Sequence, residues 1–213
     1  MTDGEIFNAL KTFKPYKAPG SDGLHASFFQ RFWLIVGNSI KTEVKSIFST
    51  GVMPEYLNKT LIMLILKCKS PESLYDYWPI SLCNLVYKLV TKIIVGHLRH
   101  LLPSLVSPFQ TAFMLGRKGV DNAILVQEIV HSMSRRKGRT RLMAIKIDLE
   151  KAYDHLKWSF IRDTLKLFNF PNHLIFLIMS CVSTSFIYVL VNGGGLDYFQ
   201  PSRGIRQGEP LSP

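Results

Sequence analysis

Apolar residues recur three and four positions apart over much of the chain, and the places where that rhythm changes divide it into elements. Thr2-Asp3-Gly4-Glu5 has capping-box spacing and is followed by Ile6, Phe7, Leu10 and Phe13 before Pro15. This predicts a short first helix. From Leu24 to Phe48 the positions Leu24, Phe28, Phe32, Trp33, Val36, Ile40, Val44 and Ile47 keep helical spacing, with Gly51 and Pro54 as the stop. One long amphipathic helix is expected there. Thr60 to Leu66 is a continuous apolar run and reads as a buried strand, and the polar, Pro-bearing stretch Lys67 to Pro79 reads as a loop. Helices follow at Asn84 to Leu102 and Asp121 to Met133, then a strand at Leu142 to Leu149 and a helix ending at Phe168. A further helix after Pro171 precedes a hairpin with its turn at Asn192-Gly193-Gly194-Gly195. No internal repeat or linker is evident.

Leu174 to Val191 carries no formal charge and reaches the minimum length for a membrane span. Ser180, Ser183, Thr184 and Ser185 interrupt it, and its second half turns β-branched, so it reads as a helix, a break and a strand. The start, MTDGEIFNALK, lacks the basic-then-apolar order of a signal peptide. No membrane association is expected, and the location expected is intracellular, in nucleus or cytoplasm. The chain has 213 residues, 26 Lys plus Arg against 15 Asp plus Glu, a net charge of +11, and 47% hydrophobic residues. An acidic disordered tail is excluded. The positive field suits polyanions, nucleic acid above all, although mere solubility would use the same charge. Arg135, Arg136, Lys137, Arg139 and Arg141 put five of those charges into seven residues. Cys68, Cys83 and Cys181 are too few and too dispersed for a disulfide framework or a zinc cluster.

Alternation on the strand expected at 142–149 gives Met143, Ile145, Ile147 and Leu149 one face, and Leu142, Ala144, Lys146 and Asp148 the other. A carboxylate thus ends a strand on its less apolar side. Two roles fit: a catalytic acid at the open end of a sheet, or a cap for the next helix.

The stretch KIDLEKAYDHLKW (Lys146 to Trp158) resembles the first catalytic motif of reverse transcriptases from non-LTR retrotransposons of the LINE type. KAPGSDGLHASFFQRFW (Lys17 to Trp33), WPISLCNLVYKLVTK (Trp78 to Lys92), Ser107 to Arg117 and SRGIRQGEPLSP (Ser202 to Pro213) resemble further blocks of that family in the same order. The PISLCN and FFQRFW wording is most similar to elements in plant genomes. The resemblance implies an α+β fold: right-hand polymerase fingers and a partial palm, helix-rich, with a small, incomplete antiparallel sheet. Residues 1–141 would be a fingers-like region with a basic loop at 135–141, and 142–213 a partial palm. It implies an RNA-directed DNA polymerase acting on an RNA template, a DNA primer and dNTP, with two Mg²⁺ ions held by carboxylates.

By that resemblance Asp148 is the first metal ligand, with the backbone carbonyl of Leu149 beside it. Tyr153 is the aromatic gate under the incoming sugar, with an ordinary core aromatic as the alternative, and Asp154 is the N-cap of the helix through Phe168. Gln207 and Gly208 approach the nascent base pair, and Arg206 lies near the template. Lys67 meets the triphosphate, unless it is simply a solvated lysine at a strand end. Arg135, Arg136, Lys137, Arg139 and Arg141 are candidate template or primer contacts. Departures are also present. Trp78 stands where the family has a triphosphate-gripping arginine, Leu66 and Leu115 stand for prolines, and Glu209 for an aspartate. The family's second catalytic strand, with paired aspartates, would follow SRGIRQGEPLSP, and no two acids are adjacent in this sequence. The chain alone is therefore expected to be a polymerase fragment without extension activity. The alternatives are a non-catalytic basic nucleic-acid-binding module and a group II intron maturase-like protein.

Overall fold

A computed structural model describes residues 1–137, 142–191 and 194–211. The chain divides into two compact units, one made of Met1–Gly96 with Ala152–Pro213 and the other of His97–Lys151. The divisions fall at 96/97 and 151/152, and strand pairing joins the two outer stretches of sequence.

In the first unit α1 (Asp3–Lys11) starts at a complete capping box: Thr2 accepts from the Glu5 N–H and Glu5 from the Thr2 N–H. The expected single helix at 24–48 is two, α2 (Ala26–Arg31) and α3 (Trp33–Thr50), broken at Phe32. No Gly or Pro causes the break. Gln30 at the end of α2 donates from Nε2 to the carbonyls of Leu10 and Phe13, holding α2 to the exit of α1. Trp33 at the head of α3 stacks on Phe7, with ring centroids 5.0 Å apart. The two helices thus attach separately to α1, α2 through Gln30 and α3 through Trp33. Gly51, in the left-handed conformation, ends α3.

The strand β1 (Lys59–Leu66) forms as expected, but β2 (Tyr77–Cys83) forms where most of a loop was expected. A short 3₁₀ turn at Leu74–Asp76 leads into it. Pro79 is tolerated because β2 is an edge strand and needs no ladder N–H on its outer side. The apolar helix α4 (Leu85–Arg99) follows, with Tyr87, Leu89, Val90 and Ile94 buried.

The second unit holds α5 (Leu102–Leu105) and α6 (Gly119–Arg135). Arg117 ties its loops by donating to the carbonyls of Ser107, Gln110 and Val106. The strand expected at Leu142–Leu149 is absent: these residues have no regular structure and are exposed. Among the described residues no strand pairs with this segment. An extended chain whose N–H and C=O groups find no neighbouring ladder gains nothing over hydration.

Back in the first unit come α7 (Ala152–His155), α8 (Trp158–Leu167), α9 (Asn172–Ser183), β3 (Phe186–Val191) and β4 (Gly194–Gly195). Asp154 lies inside α7, and Lys157 occupies the N-cap of α8, which corrects the expected cap. The hairpin forms, with Asn192 and Gly193 of its turn outside the described residues. The sheet order is β2-β1-β3-β4. β1 is antiparallel to β2 but parallel to β3, so the sheet is mixed where an antiparallel one was expected. The α+β, helix-rich class stands; the parallel pair arises because a long crossover separates β1 from β3. Among the described residues no helix is long and apolar enough to cross a membrane.

Candidate nucleotide and nucleic-acid site

Two of the sequence blocks meet in the first unit. The Gly204 N–H donates to the Leu156 carbonyl at 2.7 Å, the Ile205 N–H to the Tyr153 carbonyl at 3.0 Å, and Trp158 Nε1 to the Gly204 carbonyl at 2.8 Å. The Tyr153–Trp158 stretch and the SRGIRQGE block are therefore stitched together through backbone. Gly204 has φ +86°, and a Cβ there would lie 3.1 Å from the carbonyl oxygens of Tyr153 and Asp154. Conformation and space both demand glycine. On its other side the block meets the outer edge of β2, where the Ser81 N–H donates to the Gln207 carbonyl at 3.2 Å. Gly208, at φ +93°, turns the chain just beyond.

Between these attachments Arg206 points inward and is 7% exposed. Its Nη1 donates to Asn58 Oδ1 at 2.8 Å and Thr60 Oγ1 at 2.9 Å, and its Nη2 to the Cys181 carbonyl at 2.8 Å and to the Tyr87 hydroxyl. Nε lies 3.1 Å from Glu209 Oε2, an ion pair without hydrogen-bond alignment. The Cys181 carbonyl belongs to the last turn of α9, whose carbonyls have no partner within the helix, so the guanidinium caps a helix C-terminus where a cation is favoured. Its carbon also sits 4.2 Å from the centre of the Tyr87 ring. Burial works against the Arg206 charge, but Tyr87 and Glu209 outweigh it and hold the group cationic. Burial pushes the Glu209 carboxyl up, against the pull of Arg206, and pushes the Tyr87 hydroxyl well above its ordinary range.

With every guanidinium nitrogen facing a buried acceptor, Arg206 organises the floor beneath Gln207. Asn58, Thr60, Tyr87 and Cys181 were not assigned to the site from sequence; the signals were Asn58 and Thr60 at the polar entrance of an apolar run and Tyr87 inside the Trp78–Lys92 block.

A cleft of about 180 Å³ opens beside this floor, lined by Ile62, Pro79, Ser81, Arg203, Ile205 and Gln207 among others. Tyr153 and Gln207 are half-buried at this junction, and Gly208 is exposed. Lys67 lies elsewhere, just past the end of β1, with Nζ donating to the Tyr75 carbonyl at 2.7 Å. Ser81 pairs with Ile62, and five residues of strand at ~3.3 Å each separate Ile62 from Lys67 by about 16 Å. Asp148 and Leu149 belong to the second unit and are exposed, as are Arg135, Arg136 and Lys137 at the end of α6. Arg139 and Arg141 lie outside the described residues. Among the described residues no group of three or more His, Cys, Asp or Glu side chains could hold a metal ion.

A helix-rich α+β chain with a small mixed sheet, in which the Tyr153–Trp158 stretch and the SRGIRQGE block meet beside β2, fits part of a polymerase fingers and palm. Residues 67–213 match the family described as reverse transcriptase (RNA-dependent DNA polymerase), and the chain belongs to that family. It is 29% identical over 212 residues to the 149 kDa protein of transposon TX1 from Xenopus laevis, covering all of this chain and 16% of that protein. It is 26% identical over 163 residues to the Pol polyprotein of the type-2 retrotransposable element R2DM of Drosophila melanogaster, covering 76% and 15%. Over 210 residues it is 26% identical to the Pol polyprotein of the type-1 element R2 of Popillia japonica, covering 98% and 28%. The relatives are named as proteins of a transposon and of retrotransposable elements, and the chain spans between about a seventh and under a third of their lengths.

Proposed function

We propose that this chain supplies the fingers and the first part of the palm of an enzyme that copies an RNA template into DNA from a primer, using dNTP. The observation that carries the reading is the backbone stitching of the Tyr153–Trp158 stretch to the SRGIRQGE block, which supports a shared nucleotide-facing surface for Tyr153, Gln207 and Gly208. In this reading Asp148 and the Leu149 carbonyl contribute part of a Mg²⁺ site whose remaining carboxylates come from outside this chain. Lys67 meets the triphosphate, and Arg135, Arg136, Lys137, Arg139 and Arg141 meet phosphates of template or primer. The PISLCN and FFQRFW wording supports an element of plant-genome type, acting in nucleus or cytoplasm.

The test is a chimera in which this chain replaces the matching segment of an active relative. Extension should be detectable, vanish in Asp148→Ala, and admit ribonucleotides in Tyr153→Ala. Extension that survives Asp148→Ala would overturn the reading. Separately, the isolated chain should bind RNA with an affinity that falls steeply with salt, and replacing the five basic residues of 135–141 by Ser should lower the salt slope by up to about 3.5–4.5.

A further inference from the structure

Tyr153 is carried by α7, a single turn of four residues, none of them buried. A helix this short does not hold itself, and its last carbonyls need partners from outside. The carbonyls of Tyr153 and Leu156 take the N–H groups of Ile205 and Gly204. The Ile205 N–H and the Gly204 carbonyl are the two ends of one planar trans peptide, so fixing one end orients the other. Glycine at 204 leaves that plane free to turn over, which would take the N–H away from Tyr153. The Trp158 indole N–H, donating to the Gly204 carbonyl at 2.8 Å, holds the plane in place. Trp158 is the first residue of α8, a ten-residue helix that packs against α9, so the donor is mounted on a stable element. Of the three bonds in the stitching, two join backbone to backbone. Trp158 is where a side chain controls it.

We propose that Trp158 is a positioning residue for sugar selection: by locking the Gly204–Ile205 peptide it holds the Tyr153 backbone, and with it the ring, where a ribose 2′-hydroxyl is refused. The inference rests on the polymerase reading and deepens it, because part of the discrimination passes from the Tyr153 ring to an indole N–H whose partner is the protein's own backbone. The lock also fixes Tyr153 relative to Gln207, since the Gln207 carbonyl is held on the far side of the block by the Ser81 N–H. A ring that is only loosely held excludes a hydroxyl poorly, because a displacement of about 1 Å is enough to change reaction rates severalfold or more.

The test uses the chimera described above and, beside it, the full chain. In the chimera, kcat/KM is measured for a dNTP and for the matching ribonucleotide. Trp158→Phe keeps an aromatic ring but no donor, and the ratio of the two values should fall on the order of three- to thirtyfold, chiefly by a gain for the ribonucleotide. Benzothienylalanine placed at position 158, the same bicycle with sulfur in place of N–H, should behave alike. Trp33→Phe, which alters the stacking on Phe7, should lower stability and leave the ratio unchanged. In the full chain, protection of the Gly204 and Ile205 amides against exchange should fall on the order of two- to tenfold in Trp158→Phe and not in Trp33→Phe. Equal losses for both nucleotides in Trp158→Phe would mark a merely structural role and overturn the inference, as would an unchanged ratio with the sulfur isostere or unchanged amide protection. A chimera that extends primers and responds to Tyr153→Ala but not to changes at 158 would sink the inference alone. A chimera with the unaltered segment that does not extend at all would count against both readings.

Discussion

Replacing Arg206 by Met removes a guanidinium that serves four hydrogen-bond acceptors and faces Glu209 in a site nearly closed to water. Each hydrogen bond to a charged group is worth about 1.5–3 kcal/mol, but bonds sharing one donor group do not add. The better measure is the loss of one partner from a buried ion pair, about 3–5 kcal/mol, because the other charge is left behind. For a chain of this size each kcal/mol lowers Tm by about 2–4 °C, so Arg206→Met should lower it by roughly 6–20 °C. Trp158 emission suits the assay because its indole reports on the Gly204 carbonyl beside the site. A pH signature accompanies the loss. Burial already raises the Glu209 carboxyl, and Arg206 opposes that rise. Without Arg206 the folded-state value climbs further above the ordinary 4.5, so the folded chain binds the proton more tightly than the unfolded one. Stability is then fully present below about 4.5 and is lost as pH rises through the folded value, so the deficit of Arg206→Met widens towards neutral pH. Adding Glu209→Met should recover at least about 1 kcal/mol and abolish that widening. A single-variant loss under about 1 kcal/mol, or no recovery in the double variant, would refute the account of Arg206 as the organiser of this floor.

Gly204→Ala should cost about 1–3 kcal/mol and shift Trp158 emission to the red, since a Cβ meets the Tyr153 and Asp154 carbonyls in a left-handed backbone; an unchanged Tm and spectrum would count against the stitching. Iodoacetamide should modify one thiol per native chain, exposed Cys68, and three after unfolding, because Cys83 and Cys181 are buried and burial holds the Cys181 thiol up at about 12; mass spectrometry reads the count. Asp76 accepts the backbone N–H groups of Glu72 and Ser73 and the Ser73 hydroxyl, which hold its carboxyl below the ordinary 3.8. The support it gives this turn is present above 3.8 and lost as pH falls through the lowered value. Protection of the Glu72 and Ser73 amides against exchange, taken relative to the intrinsic rate at each pH, should therefore fall in acid in wild type and be low at all pH values in Asp76→Asn.

Elements whose stability is local were legible from the sequence. The capping box at Thr2 and Glu5, the apolar run of β1 and the helices after Asn84 and Pro171 each carry their own signal within a few residues. What escaped was decided at a distance. The break at Phe32 depends on Gln30 reaching the end of α1, and β2 depends on an edge position that excuses Pro79. Leu142–Leu149 has the alternation of a strand but, among the described residues, no ladder to join, so pattern alone predicted an element that pairing does not supply. At the candidate site, the blocks around Tyr153 and Gln207 were recognisable by wording. The inward turn of Arg206 was not, because its acceptors are drawn from Asn58, Thr60, Tyr87 and Cys181, between 25 and 148 residues away.

The parallel pairing of β1 with β3 also sets a timetable for synthesis. Lys59 faces Phe186 in the register, so 127 further residues must leave the ribosome before that side of β1 can be covered. At about 5–20 residues per second this takes roughly 6–25 s. During that interval the β1–β2 hairpin presents a bare row of N–H and C=O groups to any neighbouring nascent chain. A stalled or shortened translation product ending before β3 would carry that edge permanently, and it is such products, more than the finished protein, that should accumulate as aggregates or be captured by chaperones.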